Sequence, residues 1–251
     1  RWFQACLLFP PGTTEDAAHQ VFVQIDAASR ELGIAVTGGH TEVTNAVSRP
    51  VVIGDMHGIV AKDRLVTSGG ARPGDLVVMS KTAGLEGTSI LAAEKAAALR
   101  SQLDEASRQE AVNLRHTPGI SVVKEALLAA EHGATAMHDP TEGGVALGLY
   151  ELATASGTGI ILDLDAIPVL PVTWAICRCF DLNPLGLISS GTLLLTIPPD
   201  RWPALQRTLH AQGIAAQPVG TITPGDGVRA FSHGRPVSFT YSEADELAKV
   251  L

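Results

Sequence analysis

Aromatic residues are scarce in this chain: Phe, Tyr and Trp make up 4% of its 251 residues. Any core must therefore be assembled from Ala, Val, Leu and Ile, which dominate a hydrophobic content of 45%. Basic residues are also few, with 18 Lys and Arg against 26 Asp and Glu, a formal charge of −8, and no basic run anywhere. That balance argues against nucleic acid or an anionic membrane as partner. There are three cysteines, Cys6, Cys177 and Cys179, too few and too irregularly spaced for a disulfide framework or a zinc site. Their usage fits a reducing cytoplasm. No signal peptide and no apolar run of about 18 residues is visible, so neither secretion nor a membrane span is expected. Glycine and proline, 25 and 15 in number, stay below the level that signals disorder.

What is present alternates in the manner of a layered α/β or α+β protein. Residues 2–9 are strand-like and end at Pro10-Pro11-Gly12. A helix follows from Thr13, an expected N-cap with Asp16 three residues on. Its apolar face runs through Ala18, Val21, Phe22, Ile25, Ala28 and Leu32, and Gly33 is its stop. "IAVTGGHTEVT" reads as a short strand running into a glycine turn, and "PVVIGDMHGIV" as another strand. The Gly/Pro-rich turn 69–75 marks the expected domain boundary, giving domains 1–72 and 73–251. Beyond it, "DLVVMS" reads as strand, and one helix is expected over "GLEGTSILAAEKAAALR". A polar helical segment (103–115) and the helix "SVVKEALLAAEHG" follow. Strands and helices then alternate to the end.

Several stretches can carry chemistry. In "HDPTEGG", Asp139 suits an N-cap, Pro140 the first helical position and Glu142 the third. Capping leaves Gly143-Gly144 unexplained, since each glycine costs about 1 kcal/mol relative to alanine inside a helix. Glycines in a first helical turn let an anion approach backbone N–H groups, and a neighbouring carboxylate can hold the magnesium of a polyphosphate. In "TGGHTEVT", Gly38-Gly39 can form a nest for phosphate oxygens, with Thr41 as a hydroxyl donor and Glu42 as a metal ligand. Without G-x-x-x-x-G-K-[ST] it is no Walker motif. "GDMHG" places Asp55 and His57 on one strand face. "KTAGLEGTS" is a glycine-rich junction where Lys81 can bring positive charge to a ligand.

Taken in order, "GGHTEVT", "GDLVVMSKTAGLEGTSIL", "MHDPTEGGVALGLYELA" and "ISSGTLLLTIPP" resemble the PurM-like superfamily. That group holds aminoimidazole ribonucleotide (AIR) synthase, HypE of hydrogenase maturation, selenophosphate synthetase and thiamine-monophosphate kinase. The similarity runs over nearly the whole chain and is greatest to HypE and AIR synthase-related proteins, with "DPTEGG" resembling the DPTRGG of HypE. It implies a two-domain subunit whose N-terminal domain pairs with its twin in a β-barrel-like homodimer interface. It also implies ATP- and Mg2+-dependent phosphorylation of an amide, carbamoyl or similar group on a small-molecule substrate. Gly38, Gly39 and Thr41 match the family's GG[DEH]T element near the nucleotide. Asp139, Thr141, Gly143 and Gly144 match its second acidic and glycine motif.

Three departures accompany the resemblance. The family's first acidic motifs do not occur, and the chain starts at Arg1 in mid-strand, so an upstream segment is expected. No cysteine follows Cys179, whereas HypE ends in one. Glu142 stands where HypE has Arg, which points to a different substrate. The alternative is a non-catalytic PurM-like dimer that binds a ligand or partner.

Overall fold

A computed structural model describes all residues, 1–251, and the chain divides into two compact units, Arg1–Leu65 and Val66–Leu251. The division falls ahead of the glycine- and proline-rich turn 69–75, which lies inside the second unit.

The first unit is a β-α-β-β arrangement. Strand β1 (Trp2–Phe9) lies between β2 (Ala35–Val43), parallel to it, and β3 (Val51–His57), antiparallel to it. Parallel neighbours need a crossover, and helix α1 (Glu15–Leu32) supplies it. The cap of α1 is Thr14, one residue later than expected, accepting from the Ala17 N–H at 3.2 Å, because Thr13 is turned back to donate to the Pro10 carbonyl. Gly33 ends the helix in the left-handed conformation, φ 63°. Alternation along β1 sends Ala5, Leu7 and Phe9 toward α1, where Ala18, Val21 and Ile25 meet them. Phe22 and Leu32, expected on the same buried stripe, are exposed.

The expected glycine turn in this unit is absent. Gly38 and Gly39 lie within β2, which stays paired to β1 through Val43, with the extra residue of a bulge at the Phe3/Gln4 step. Gly39, at φ 147°, passes so close to β1 that an added Cβ would fall 2.0 Å from the Ala5 carbonyl oxygen. Glycine is needed there for strand proximity, not for a reversal.

The second unit is built on a seven-stranded sheet in the order β10-β9-β6-β8-β4-β7-β5. The strands are β4 (Leu76–Ser80), β5 (Ala136–His138), β6 (Gly159–Asp163), β7 (Leu194–Ile197), β8 (Ala216–Thr223), β9 (Val228–Ser232) and β10 (Arg235–Val237). All pairings are antiparallel except β6 with β9. Helix α2 (Leu85–Glu94) and the short α3 (Ala96–Leu99) replace the single helix expected there. The helical path breaks at Lys95, φ −107° and ψ 23°. After them come α4 (Glu105–Asn113), α5 (Val123–Glu131), α6 (Gly144–Ser156), α7 (Pro171–Cys179) and α8 (Trp202–Ala211).

Period-two alternation divides the central strands between two cores. Val77, Met79 and Leu194 pack with Val145, Leu149 and Leu152 of α6. Val78, Leu193, Leu195 and Ile197 pack with Ala129 of α5 and with Trp202, Leu205 and Leu209 of α8. A third cluster joins α2, α4 and α7 through Leu85, Leu91, Ala111 and Ile176. No helix is long and apolar enough to cross a membrane.

Candidate functional site

The stretch "HDPTEGG" connects β5 to α6, and its geometry differs from the capping reading. Helix α6 begins at Gly144 with Gly143 as N-cap, so Asp139, Pro140 and Glu142 all precede the helix. No side chain caps it. The physical reason is that the loop's backbone already supplies the acceptors. The Thr141 carbonyl receives the Gly144 N–H at 3.0 Å and the Ser189 N–H at 3.3 Å, while the Leu185 carbonyl receives the Ala146 N–H at 2.8 Å. Asp139 is consequently exposed, caps nothing and joins no ion pair. Thr141 and Glu142 are exposed beside it. The Glu142 carboxyl is held below its ordinary value, first by its own backbone N–H and then by the Thr141 hydroxyl, so it is an anion near neutral pH.

The two glycines have a packing reason. Both are left-handed, Gly143 at φ 75° and Gly144 at φ 62°. A Cβ on Gly144 would fall 2.5 Å from the carbonyl oxygens of both Leu185 and Leu187. Both residues are buried, and the Gly143 N–H is already engaged, donating to Asp245 Oδ2 at 2.8 Å. Sequence reasoning missed Asp245, which lies about a hundred residues away and carries no local signal for this role.

Behind the loop a chain of buried hydroxyls ties two glycine-rich stretches together. The Gly84 N–H donates to Ser189 Oγ at 2.9 Å, Ser189 Oγ lies 2.9 Å from Thr192 Oγ1, and Thr192 Oγ1 donates to the Thr82 carbonyl at 2.8 Å. "KTAGLEGTS" and "ISSGT" thereby form one rigid support. Lys81 does not face a ligand. Its Nζ lies 2.7 Å from Glu125 Oε1, with the two side chains 7% and 2% exposed, and it also donates to the Ser121 carbonyl at 2.6 Å. The buried carboxylate claims the charge that the sequence left free. His138 and Glu151 form another unforeseen pair, 2.8 Å apart.

In the first unit, Gly38, Gly39 and Thr41 line one open cavity of about 490 Å³ together with Ala5, Leu7 and Phe22. Thr41 is paired with Leu7, and Glu42 with Leu8. Neighbours along a strand point to opposite faces, so Thr41 and Glu42 do not address one ligand together. Glu42 instead meets His40, 3.4 Å away. Asp55 and His57 do share a face, 2.8 Å apart. No group of three or more His, Cys, Asp and Glu side chains is gathered for a metal ion.

Residues 72–233 match the family described as "AIR synthase related protein, C-terminal domain". The carbamoyl dehydratase HypE of Rhizobium leguminosarum bv. viciae is 30% identical over 226 residues, which covers 86% of this chain and 62% of that protein. The chain thus spans about three fifths of the length of that relative. The crystal structure of HypE from E. coli superposes with a TM-score of 0.80 at 20% identity, covering all of this chain and 76% of the other. A HypE structure in complex with ATP has a TM-score of 0.72 at 22% identity, covering 98% and 75%. With the family match extending over more than half of its residues, the chain belongs to the AIR synthase-related family, as a PurM-like protein of the HypE type.

Proposed function

We propose that this chain acts in an ATP- and magnesium-dependent enzyme that activates an amide, carbamoyl or similar group of a small molecule by phosphorylation. One observation carries the reading: Asp139 is an exposed carboxylate with no capping duty and no cationic partner, on the family's acidic glycine loop. A carboxylate left uncommitted beside a rigid loop is suited to hold a divalent cation. The likeness to relatives described as carbamoyl dehydratases, and to a HypE structure in complex with ATP, supports this chemistry.

On this reading ATP with Mg2+ supplies the phosphoryl group that turns a poor leaving oxygen into a good one. The residues of the chain position and neutralise charge and form no covalent bond. Asp139 would hold the metal, and the Thr141 hydroxyl would turn from the Glu142 carboxylate to a phosphate oxygen. The hydroxyl chain through Ser189 and Thr192 keeps the loop in place. In the first unit, Gly38, Gly39 and Thr41 line a cavity that is a candidate nucleotide surface in its own right, and Glu42, on the opposite strand face, is a separate candidate metal ligand. Glu142 adds negative charge where HypE carries Arg, which disfavours a second anion on the substrate and favours a neutral or cationic one.

The subunit would act as a homodimer joined through a β-barrel-like interface of its N-terminal domain. The open first-unit sheet supports this, since Val52, Ile53 and Met56 are about half exposed on β3. Isothermal titration and phosphate release with the full-length protein test the proposal. ATP should bind only with Mg2+, and Asp139→Asn should lower turnover by about a hundredfold or more, the scale of losing a transition-state charge partner. Full-length protein that binds no MgATP, or turnover indifferent to Asp139→Asn, would sink it and leave a non-catalytic dimer.

A further inference from the structure

Four connections meet at one end of the seven-stranded sheet. Strands β4 and β5 are both antiparallel to β7, so their last residues and the first residues of β7 share that end. Residues 81–84 follow β4, 139–143 follow β5, and 180–193 lead into β7. The fourth connection is 114–122, which enters α5. Its backbone is fastened to the others. The Lys81 ammonium donates to the Ser121 carbonyl at 2.6 Å and to the Gly119 carbonyl at 3.4 Å. Gly191 packs so closely on it that an added Cβ would fall 2.9 Å from Ile120 Cα and 3.0 Å from the Gly119 carbonyl oxygen. Two residues before Gly191, the Ser189 N–H donates to the Thr141 carbonyl. Segment 114–122 is thereby joined through 189–191 to the acidic glycine loop. Its own turn is wide, with the Gly119 N–H reaching back to the carbonyl of buried Leu114 at 3.1 Å. Turns of this width are frequent at functional sites.

Charge is unevenly supplied at this end. Asp139 and Glu142 are exposed carboxylates, whereas the four connections hold only three side chains able to carry positive charge, Lys81, Arg115 and His116. Lys81 is neutralised by the buried Glu125. Arg115 is exposed and joins no ion pair. Its Nε donates to His116 Nε2 at 3.1 Å, which orients the guanidinium and leaves both terminal nitrogens without a partner. We infer that Arg115 is a catalytic residue of the proposed reaction, its free fork binding oxygens of the γ-phosphoryl group of ATP during transfer, with His116 as its positioning partner. The inference rests on the proposed function and supplies what that reading lacks, a protein cation for the moving charge. A planar guanidinium matches two phosphate oxygens at once. The charge it meets is the one spread over the equatorial oxygens of the transferring group. In the step, the amide or carbamoyl oxygen bonds to the γ-phosphorus as the bond to the β,γ-bridging oxygen breaks. ADP departs with that electron pair, and the proton lost from the substrate nitrogen passes to water. Arg115 keeps its own proton throughout.

The experiment compares full-length wild type with Arg115→Ala, Arg115→Lys and Arg207→Ala, the last removing an exposed arginine of α8 as a control for net charge. ADP release from MgATP, with water as acceptor, gives kcat and KM, and titration calorimetry gives the dissociation constants of MgATP and MgADP. Arg115→Ala should lower kcat by about a hundredfold or more. It should weaken MgATP by about tenfold, the scale of one charge-assisted hydrogen bond, and leave MgADP unchanged. Arg115→Lys should recover only part of the loss, because an ammonium cannot reproduce the fork. Free guanidinium added to Arg115→Ala should restore part of the turnover, which a damaged fold would not allow, and Arg207→Ala should match wild type. An unchanged kcat in Arg115→Ala, or equal weakening of MgATP and MgADP without guanidinium rescue, overturns the role of Arg115 while leaving the proposed function standing. Wild type that neither binds nor turns over MgATP overturns both.

Discussion

The two units of this chain solve the burial problem in opposite ways. In Val66–Leu251 the central strands are covered on both faces, and Val77, Val78, Leu194 and Leu195 have no exposed surface. In Arg1–Leu65 the buried apolar side chains number three, Ala5, Leu7 and Phe9, all on one face of one strand. Strands β2 and β3 are almost wholly exposed, and each leaves an outer edge unpaired. Chains of about 60 residues are marginal even with a complete core. The first unit therefore has the architecture of a surface that needs a partner, and the second that of a self-sufficient domain.

The sharpest way to break that comparison is to damage the second core. Leu149→Ala removes a side chain with no exposed surface from the α6 cluster. It should lower unfolding free energy by about 3 kcal/mol, read from the denaturant midpoint at constant slope. A loss below about 1 kcal/mol would mean that this core is looser than it looks. Next in size is Ile53→Asp on β3, where the side chain is 55% exposed. Unfolding of the second unit should shift by no more than about 0.5 kcal/mol, while sedimentation should change from dimer to monomer. A variant that still sediments as a dimer would place the partner surface elsewhere.

The smallest effect concerns Cys177. Burial, then the charges of Glu246 and Cys179, push its thiol up to about 12. An unfolded cysteine ionises near about 8.5, so between those values the unfolded chain alone gives up the proton. Stability tied to the neutral buried thiol is complete below about pH 8.5 and declines as pH climbs toward 12. The decline should approach about 1.4 kcal/mol per pH unit and should flatten in Cys177→Ala, as seen in melts on either side of about pH 9. Equal slopes in both proteins would show that the thiol titrates freely.

Much of the fold was legible because its signals are local. The apolar spacing from Ala18 to Leu32 and the stop at Gly33 mark α1 without reference to anything distant. The alternation in "LLLTI" likewise distributes Leu193 and Leu194 to different cores. What could not be read depends on remote partners. Gly38-Gly39 looks like a turn until the bulge against Phe3 and Gln4 is known. Asp139 and Pro140 look like the start of a helix until the Thr141 and Leu185 carbonyls are seen taking up the first-turn N–H groups. Of the candidate site, the position of the acidic glycine loop was legible from "HDPTEGG". The burial of its glycines was not, because Leu185, Leu187 and Asp245 arrive from elsewhere in the chain.

The Lys81–Glu125 pair has a consequence for how this sequence can drift. Lys81 takes up a left-handed backbone conformation, φ 54°, and ends on a carboxylate that is almost completely enclosed. Either partner replaced singly leaves a lone charge in the interior, which costs about 3–5 kcal/mol, whereas replacing both with apolar residues is nearly neutral. The two positions are therefore locked into joint inheritance: a lineage keeps both or exchanges both, and the intermediates between those states are the sequences least able to fold.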